Sequence, residues 1–209
     1  MWKLTTLTDL HLGSCQLTAL PDASGNLINL EWLDVEHNAL TSLPNTLGNL
    51  RRMKHLYLNG NQLTEIPDTL GENLLDLEDL ELKNNNLESI PQSFENLKKL
   101  RSLGLDGNSL TTLPNIFEKM TAMRSEGAKL SIFNISTMTS LPDSIRFVKH
   151  AFSSAVFNFY SSRREHAPLL ALVDLKYQRW CDRKPLLLMK PKKGVDLKKC
   201  AAMYEVLLA

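Results

Sequence analysis

Cysteine is nearly absent, and the three that occur, Cys15, Cys181 and Cys200, stand far apart with no CxxC pair and no histidine-rich spacing beside them. A disulfide framework and a thiolate metal site are therefore excluded, as expected of a chain kept in a reducing compartment. Long apolar runs are missing too. Nothing approaches the roughly 18 consecutive apolar residues of a membrane span, and Met1 leads into Trp-Lys-Leu-Thr-Thr instead of a basic stretch and an apolar signal core. The expectation is a soluble, intracellular protein, cytoplasmic and not secreted, with no membrane span. On the same ground the Asn134-Ile-Ser sequon is discounted as a glycosylation site. No glycine-rich phosphate cradle is present. No nucleophile sits in a pattern with a base either: Cys181, in "CDR", has only a short tail around it and no accompanying His or Asp arrangement. The chain reads as a non-enzyme that needs no cofactor and no metal.

What is present is charge of both signs, unevenly placed. The formal net charge is +1, yet residues 1–120 hold 9 Lys/Arg against 16 Asp/Glu, and residues 121–209 hold 15 against 7. An acidic front and a basic back suggest two contact surfaces, although solvated charge runs look the same. A chain of 209 residues suits one substantial core, or one elongated domain with an appendage.

The stretch "LYLNGNQLTEIP" at residues 56–67 resembles a hairpin, because Asn-Gly between apolar residues is a strong two-residue turn signal. Self-similarity removes that reading. Five segments align on a proline after an apolar residue, "LTALPDA", "LTSLPNT", "LTEIPDT", "LESIPQS" and "LTTLPNI", and the frame upstream of each is shared. Its first apolar slots, Leu7, Leu30, Met53, Leu77 and Leu100, are spaced by 23, 23, 24 and 23 residues. This is the pattern L-x-x-L-x-L-x-x-N-x-L, in which each unit supplies one short strand and a return segment. Alternate strand residues point to opposite faces, so Leu56 and Leu58 turn inward while His55, Tyr57 and Asn59 turn outward. One unit cannot bury its leucines alone, whereas stacked units make a parallel sheet over a continuous core.

Asn38, Asn61, Asn85 and Asn108 hold the slot where the chain leaves the sheet, and their amides can serve backbone groups that would otherwise be buried unpaired. Cys15 holds that slot in the first unit and is read as structural. The Pro-Asp and Pro-Asn pairs are expected to open a helical or 3₁₀ return limb, with proline at its first position and Asp, Asn or Thr capping it. Leu47, Leu50, Leu70, Leu74, Phe94, Leu97, Phe117 and Met120 should point that limb inward. The extra residue in "GEN", against "GN" between Leu47 and Leu50, explains the 24-residue spacing and should be harmless on the outer side.

The 23-residue unit with its Leu-Pro pair and the local "LPNTLGNLRRM" resemble the intracellular leucine-rich repeat proteins typified by Scribble, Erbin, the Ras suppressor and the plant Ras-group repeat proteins. The resemblance covers about residues 1–148. It implies an α/β solenoid: a leucine-rich repeat horseshoe with a parallel concave sheet. It also implies a non-catalytic scaffold that binds other proteins, often small GTPases or signalling complexes.

Three outward columns then cross the concave sheet: Asp9, Trp32, His55, Asp79, Ser102; His11, Asp34, Tyr57, Glu81, Gly104; and Gly13, Glu36, Asn59, Lys83, Asp106. The field is acidic around an aromatic centre, the composition of a protein-binding surface. The candidate contact residues are Asp9, His11, Trp32, Asp34, Glu36, His55, Tyr57, Asp79, Glu81, Lys83 and Asp106, and the partner they suit is a protein with a basic or mixed surface. Nucleic acid is disfavoured there, because the carboxylates repel phosphate.

At the front, Met1 and Leu4 fill the slots of an incomplete unit over residues 1–6, so either a longer array precedes it or a partner covers that end. At the back, a degenerate sixth unit carries Leu130 and Ile132 inward. Ile145, Val148, Phe152, Val156 and Phe159 then recur at helical spacing, as in a helix capping the stack. Residues 149–209 are read as a basic, mainly helical C-terminal cap and tail. Its "KPLLLMKPKKG" offers a surface for nucleic acid, an anionic membrane or a second, acidic partner, although lysines in a loop are more often just solvated. Two functions stay open: a protein-binding scaffold, or a non-catalytic subunit of a large assembly such as a ribosome, cilium or respiratory complex, docked through its ends.

Overall fold

The computed structural model describes residues 3–125 and 127–132, together with Pro142 and Ser144. Six three-residue strands, β1 (Asp9–His11), β2 (Trp32–Asp34), β3 (His55–Tyr57), β4 (Asp79–Glu81), β5 (Ser102–Gly104) and β6 (Lys129–Ser131), form one parallel sheet in chain order. The register is that of the repeat. Leu10, Leu33, Leu56, Leu80, Leu103 and Leu130 pair in sequence, and Asp9, Trp32, His55, Asp79, Ser102 and Lys129 form the row beside them. The inward positions are buried: Leu56, Leu58, Leu80 and Leu103 are fully enclosed, each stabilising the fold by about 1.5–3 kcal/mol relative to exposure. Leu130 and Ile132 are buried as expected of the degenerate unit. The fold is the repeat solenoid, with no hairpin at Asn59-Gly60.

The strands are short because the chain must leave the sheet after each inward pair. It does so through a left-handed residue at one slot, held by Ser14, His37, Gly60, Asn84 and Gly107, with φ between 53° and 69°. At Gly60 the φ is +65°, and a Cβ would lie 2.5 Å from His37 Nδ1, so a side chain there would have to displace the His37 ring.

The asparagines one residue later tie neighbouring units. Asn61 Nδ2 donates to the carbonyls of Leu58 in its own unit and Val35 in the preceding one, while its Oδ1 accepts from Leu40 N–H. Asn85 repeats this with Leu82, Leu58 and Leu63 N–H, and Asn108 with Leu105, Leu82 and Leu87 N–H. Asn38 serves Leu12 and the backbone N–H groups of Cys15 and Leu17. Cys15 is therefore a recipient of the ladder, and it lies exposed with its Sγ 3.4 Å from Gly13 O.

All eight return-limb residues expected inward are fully buried. The limbs are 3₁₀ turns at Asp22–Asn26, Asn45–Asn49 and Gln92–Asn96, and an α-helix, α1, at Asp68–Asn73. The extra residue of "GEN" thus opens a 3₁₀ turn into one α turn: Leu74 N–H reaches Leu70 O, where Leu50 N–H reaches only Leu47 O. The capping expectation needs correction. Proline takes the extended position just before the limb and not its first turn, and no side chain caps it. Its carbonyl instead accepts from the N–H three residues on, as in Leu47 N–H to Pro44 O. Thr46 and Thr69 hydroxyls donate to Asp22 O and Asn45 O, stitching each limb to the one before.

Leu4 is 54% exposed, unlike its counterparts Leu27 and Leu50, because no described unit covers it. Met1, Asn134, the capping helix and the tail at 149–209 lie outside the described residues, and no described helix is long and apolar enough to cross a membrane.

Candidate functional site

The parallel register stacks outward residues strand over strand, so side chains 23 or 24 positions apart in sequence become neighbours. His11, Trp32, His55 and Tyr57 form one ring cluster. Trp32 is its hub, with centroids 6.0 Å from His11, 4.8 Å from His55 and 4.9 Å from Tyr57. The Trp32 ring is half-buried, and its indole Nε1–H is enclosed without an acceptor. Three neighbouring rings hold it as a platform.

Carboxylates rim this platform and fix its members. His55 Nδ1 lies 2.7 Å from Asp79 Oδ2, and His11 Nδ1 lies 3.8 Å from Asp34 Oδ2. Asp34 Oδ1 accepts from Glu36 N–H at 2.9 Å, which orients it along the sheet. Glu36 in turn accepts from Asn59 Nδ2, and Asn59 Oδ1 accepts from Lys83 N–H at 2.7 Å. Partial burial pushes the Tyr57 phenol above its ordinary value, and the nearby carboxylates of Asp79, Glu81, Glu36 and Asp34 add to the effect. That field is what a cationic partner group would meet.

Glu81 is held by Lys83 Nζ at 2.9 Å and by the Ser102 hydroxyl at 2.9 Å. Both long side chains lie across Gly104, which is buried for that reason: a Cβ there would run into Glu81 and come within 2.7 Å of Lys83 Cε. The Ser131 hydroxyl donates to Asp106. Asp9 is exposed and bonded to the Thr8 hydroxyl at 2.6 Å. Of the eleven candidates, Asp9 and Asp106 stand at the edges of the cluster, bonded to the Thr8 and Ser131 hydroxyls.

Beside Tyr57, Asp79 and Glu81, a hollow of about 400 Å³ opens, with Arg101, Ser102, Gly127 and Lys129 completing its wall. Arg101 and Lys129 were not among the residues expected here. Lys129 continues the first outward row onto β6, and the frame that placed Ser102 would have placed it. Arg101 stands one residue before β5, a slot the alternation rule assigns to neither face. Among the described residues no group of three or more His, Cys, Asp or Glu is disposed to hold a metal ion.

The chain is similar to several solved repeat proteins. A leucine-rich repeat protein of Leptospira interrogans superposes with a TM-score of 0.63 at 32% identity, over 71% of this chain and 36% of that one. The ectodomain of the plant membrane receptor kinase GASSHO1/SCHENGEN3 from Arabidopsis thaliana, solved in complex with CASPARIAN STRIP INTEGRITY FACTOR 2, gives 0.60 at 31% identity, over 71% of this chain and 18% of that one. Listeria monocytogenes InlP gives 0.55 at 30% identity, over 68% and 38%. The chain thus spans well under half the length of each. No curated protein matches it. The leucine rich repeat family model matches residues 5–63 and again 51–110, more than half the sequence between them, and on that match the chain belongs to the leucine-rich repeat family.

Proposed function

We propose that the protein is a non-catalytic binding module or scaffold that captures a protein partner on the open face of its sheet. The observation that carries this is the ring cluster around Trp32 with its carboxylate rim. Four rings within van der Waals reach on an open sheet face, with Asp34, Asp79 and Glu81 beside them, offer area, rigidity and charge together. The leucine-rich repeat is in general a protein-interaction fold, and the plant receptor ectodomain similar to this chain was solved with a bound factor. A partner with a basic or mixed surface fits the rim, and nucleic acid does not. The 23-residue spacing and the Leu-Pro pairs support an intracellular, cytoplasmic setting, with small-GTPase or other signalling complexes as the partner class. The lysine-bearing tail adds a surface for a second, acidic partner.

Affinity purification of the full chain tests this. Because Trp32 is wedged among three rings, Trp32→Ala is expected to lower stability as well as binding, so Tyr57→Ala with Asp34→Ala is the cleaner variant. It should stay cooperatively folded, with a smaller drop in melting temperature than Trp32→Ala, and lose the co-purifying partner at least tenfold. An unchanged set of partners at unchanged yield would sink the proposal and favour the alternative, a structural subunit of a large assembly held by other surfaces.

A further inference from the structure

Within the strands the open face changes sign along the strand order: β1, β2 and β4 contribute Asp9, Asp34, Asp79 and Glu81, whereas β5 and β6 contribute Ser102 and Lys129, with Arg101 at the entry to β5. The row just past the strands, Glu36, Lys83 and Asp106, does not follow that order; there Lys83 is bound to Glu81 and Asp106 to the Ser131 hydroxyl. The hollow sits on that boundary, with Tyr57, Asp79 and Glu81 on one side and Arg101 and Lys129 on the other.

The two walls differ in how far they are already satisfied. Asp79 is paired with His55, and Glu81 with Lys83 and Ser102. Arg101 and Lys129 are exposed and take part in no ion pair among the described residues. Two such cations on the wall of a hollow suit a carboxylate, which Arg can hold bidentately while Lys adds a point charge.

We infer that the partner docks as an extended segment of ordered charge, its basic residues over the carboxylates of β2–β4 and an Asp or Glu carboxylate in the hollow against Arg101 and Lys129. This rests on the proposed use of the open face. The sheet geometry sets the spacing. Strands lie about 4.8 Å apart and an extended chain advances about 3.3 Å per residue, so a segment running along the stack covers the two strand steps from Asp79 to Lys129 in about three residues and the four steps from Asp34 in about six. A uniformly basic segment would place like charge beside Arg101 and Lys129 and is selected against.

Selection of random peptides displayed on phage against the full chain tests this. The wild-type protein is expected to enrich sequences that pair Lys or Arg with Asp or Glu about three to six positions apart, always in one order. The variant R101E/K129E should enrich sequences that lack the acidic residue, and a synthetic wild-type-selected peptide should bind it at least tenfold more weakly. R101A/K129A should show the same loss without added negative charge. If wild type enriches uniformly basic sequences, or both variants keep the acidic residue and the affinity, the charge order is overturned. If those variants behave so while Y57A/D34A abolishes enrichment, the open face stands and only the order falls. Enrichment unaffected by Y57A/D34A, or none over a blank surface, overturns the face and the inference together.

Discussion

Tyr57 shows how a repeat changes the meaning of a single side chain. In isolation it belongs to an apparent hairpin; in the stack it faces Trp32 on one side and the carboxylates of Asp79 and Glu81 on the other. Its raised titration makes a test. A phenol titrates near 10 in an unfolded chain, and the native value lies above that, so the folded state keeps its proton to higher pH. The stability this gives is complete below the unfolded value and is lost as pH rises through the folded one. A difference titration by phenolate absorbance, wild type minus Tyr57→Phe, should have its midpoint above that of free tyrosine. Asp79→Asn should lower the midpoint only part of the way, since burial is the largest cause. A midpoint at or below the free value would contradict the packing described. The outward set was legible because strand alternation is a strict rule, and most of its members take part in one connected network. Arg101 was not, because it precedes the strand, where alternation has not begun. The enclosure of Trp32 was not legible either, since sequence gives the row but not how tightly its rings close.

Among the elements, the return limbs show what a local insertion costs. α1 contains one residue more than its neighbours, yet Leu70 and Leu74 are as fully buried as Leu47 and Leu50. The ends of the limb are fixed by those leucines, and the hydrogen-bond pattern between them adjusts from 3₁₀ to α. Deleting Glu72 turns "DTLGENL" into "DTLGNL", which matches "NTLGNL" of the preceding unit. The variant should fold with a stability change within about 1 kcal/mol, as for a surface change away from packed features. Urea unfolding reads this directly, and a loss of several kcal/mol would show that the helical turn carries packing the 3₁₀ limbs lack. Limb positions were legible from the Leu-Pro frame. Their capping was not, because the proline pattern permits two offsets that differ by one residue, and the observed one hands the first turn to the proline carbonyl.

For the array as a whole, stability is shared between each unit and its neighbours, so the contacts that cross unit borders govern cooperativity. Asn85 crosses one: it joins Leu58 O and Leu63 N–H of one unit to Leu82 O of the next, and it is only 5% exposed. Asn85→Ala would leave the buried Leu63 N–H unpaired, at about 1–3 kcal/mol, while Leu58 O keeps Asn61 and Leu82 O keeps Asn108. A loss of about 1–3 kcal/mol in urea unfolding is expected, with amide exchange quickening first at Leu63. A loss under about 1 kcal/mol would mean that water replaces the amide. The ladder has a direction: every asparagine supplies the groups of the unit before it. A unit therefore carries, in its own sequence, the piece its predecessor lacks. Copying one whole unit into the gene brings the complete joint with it, so the array can lengthen or shorten by whole steps without any other residue having to change.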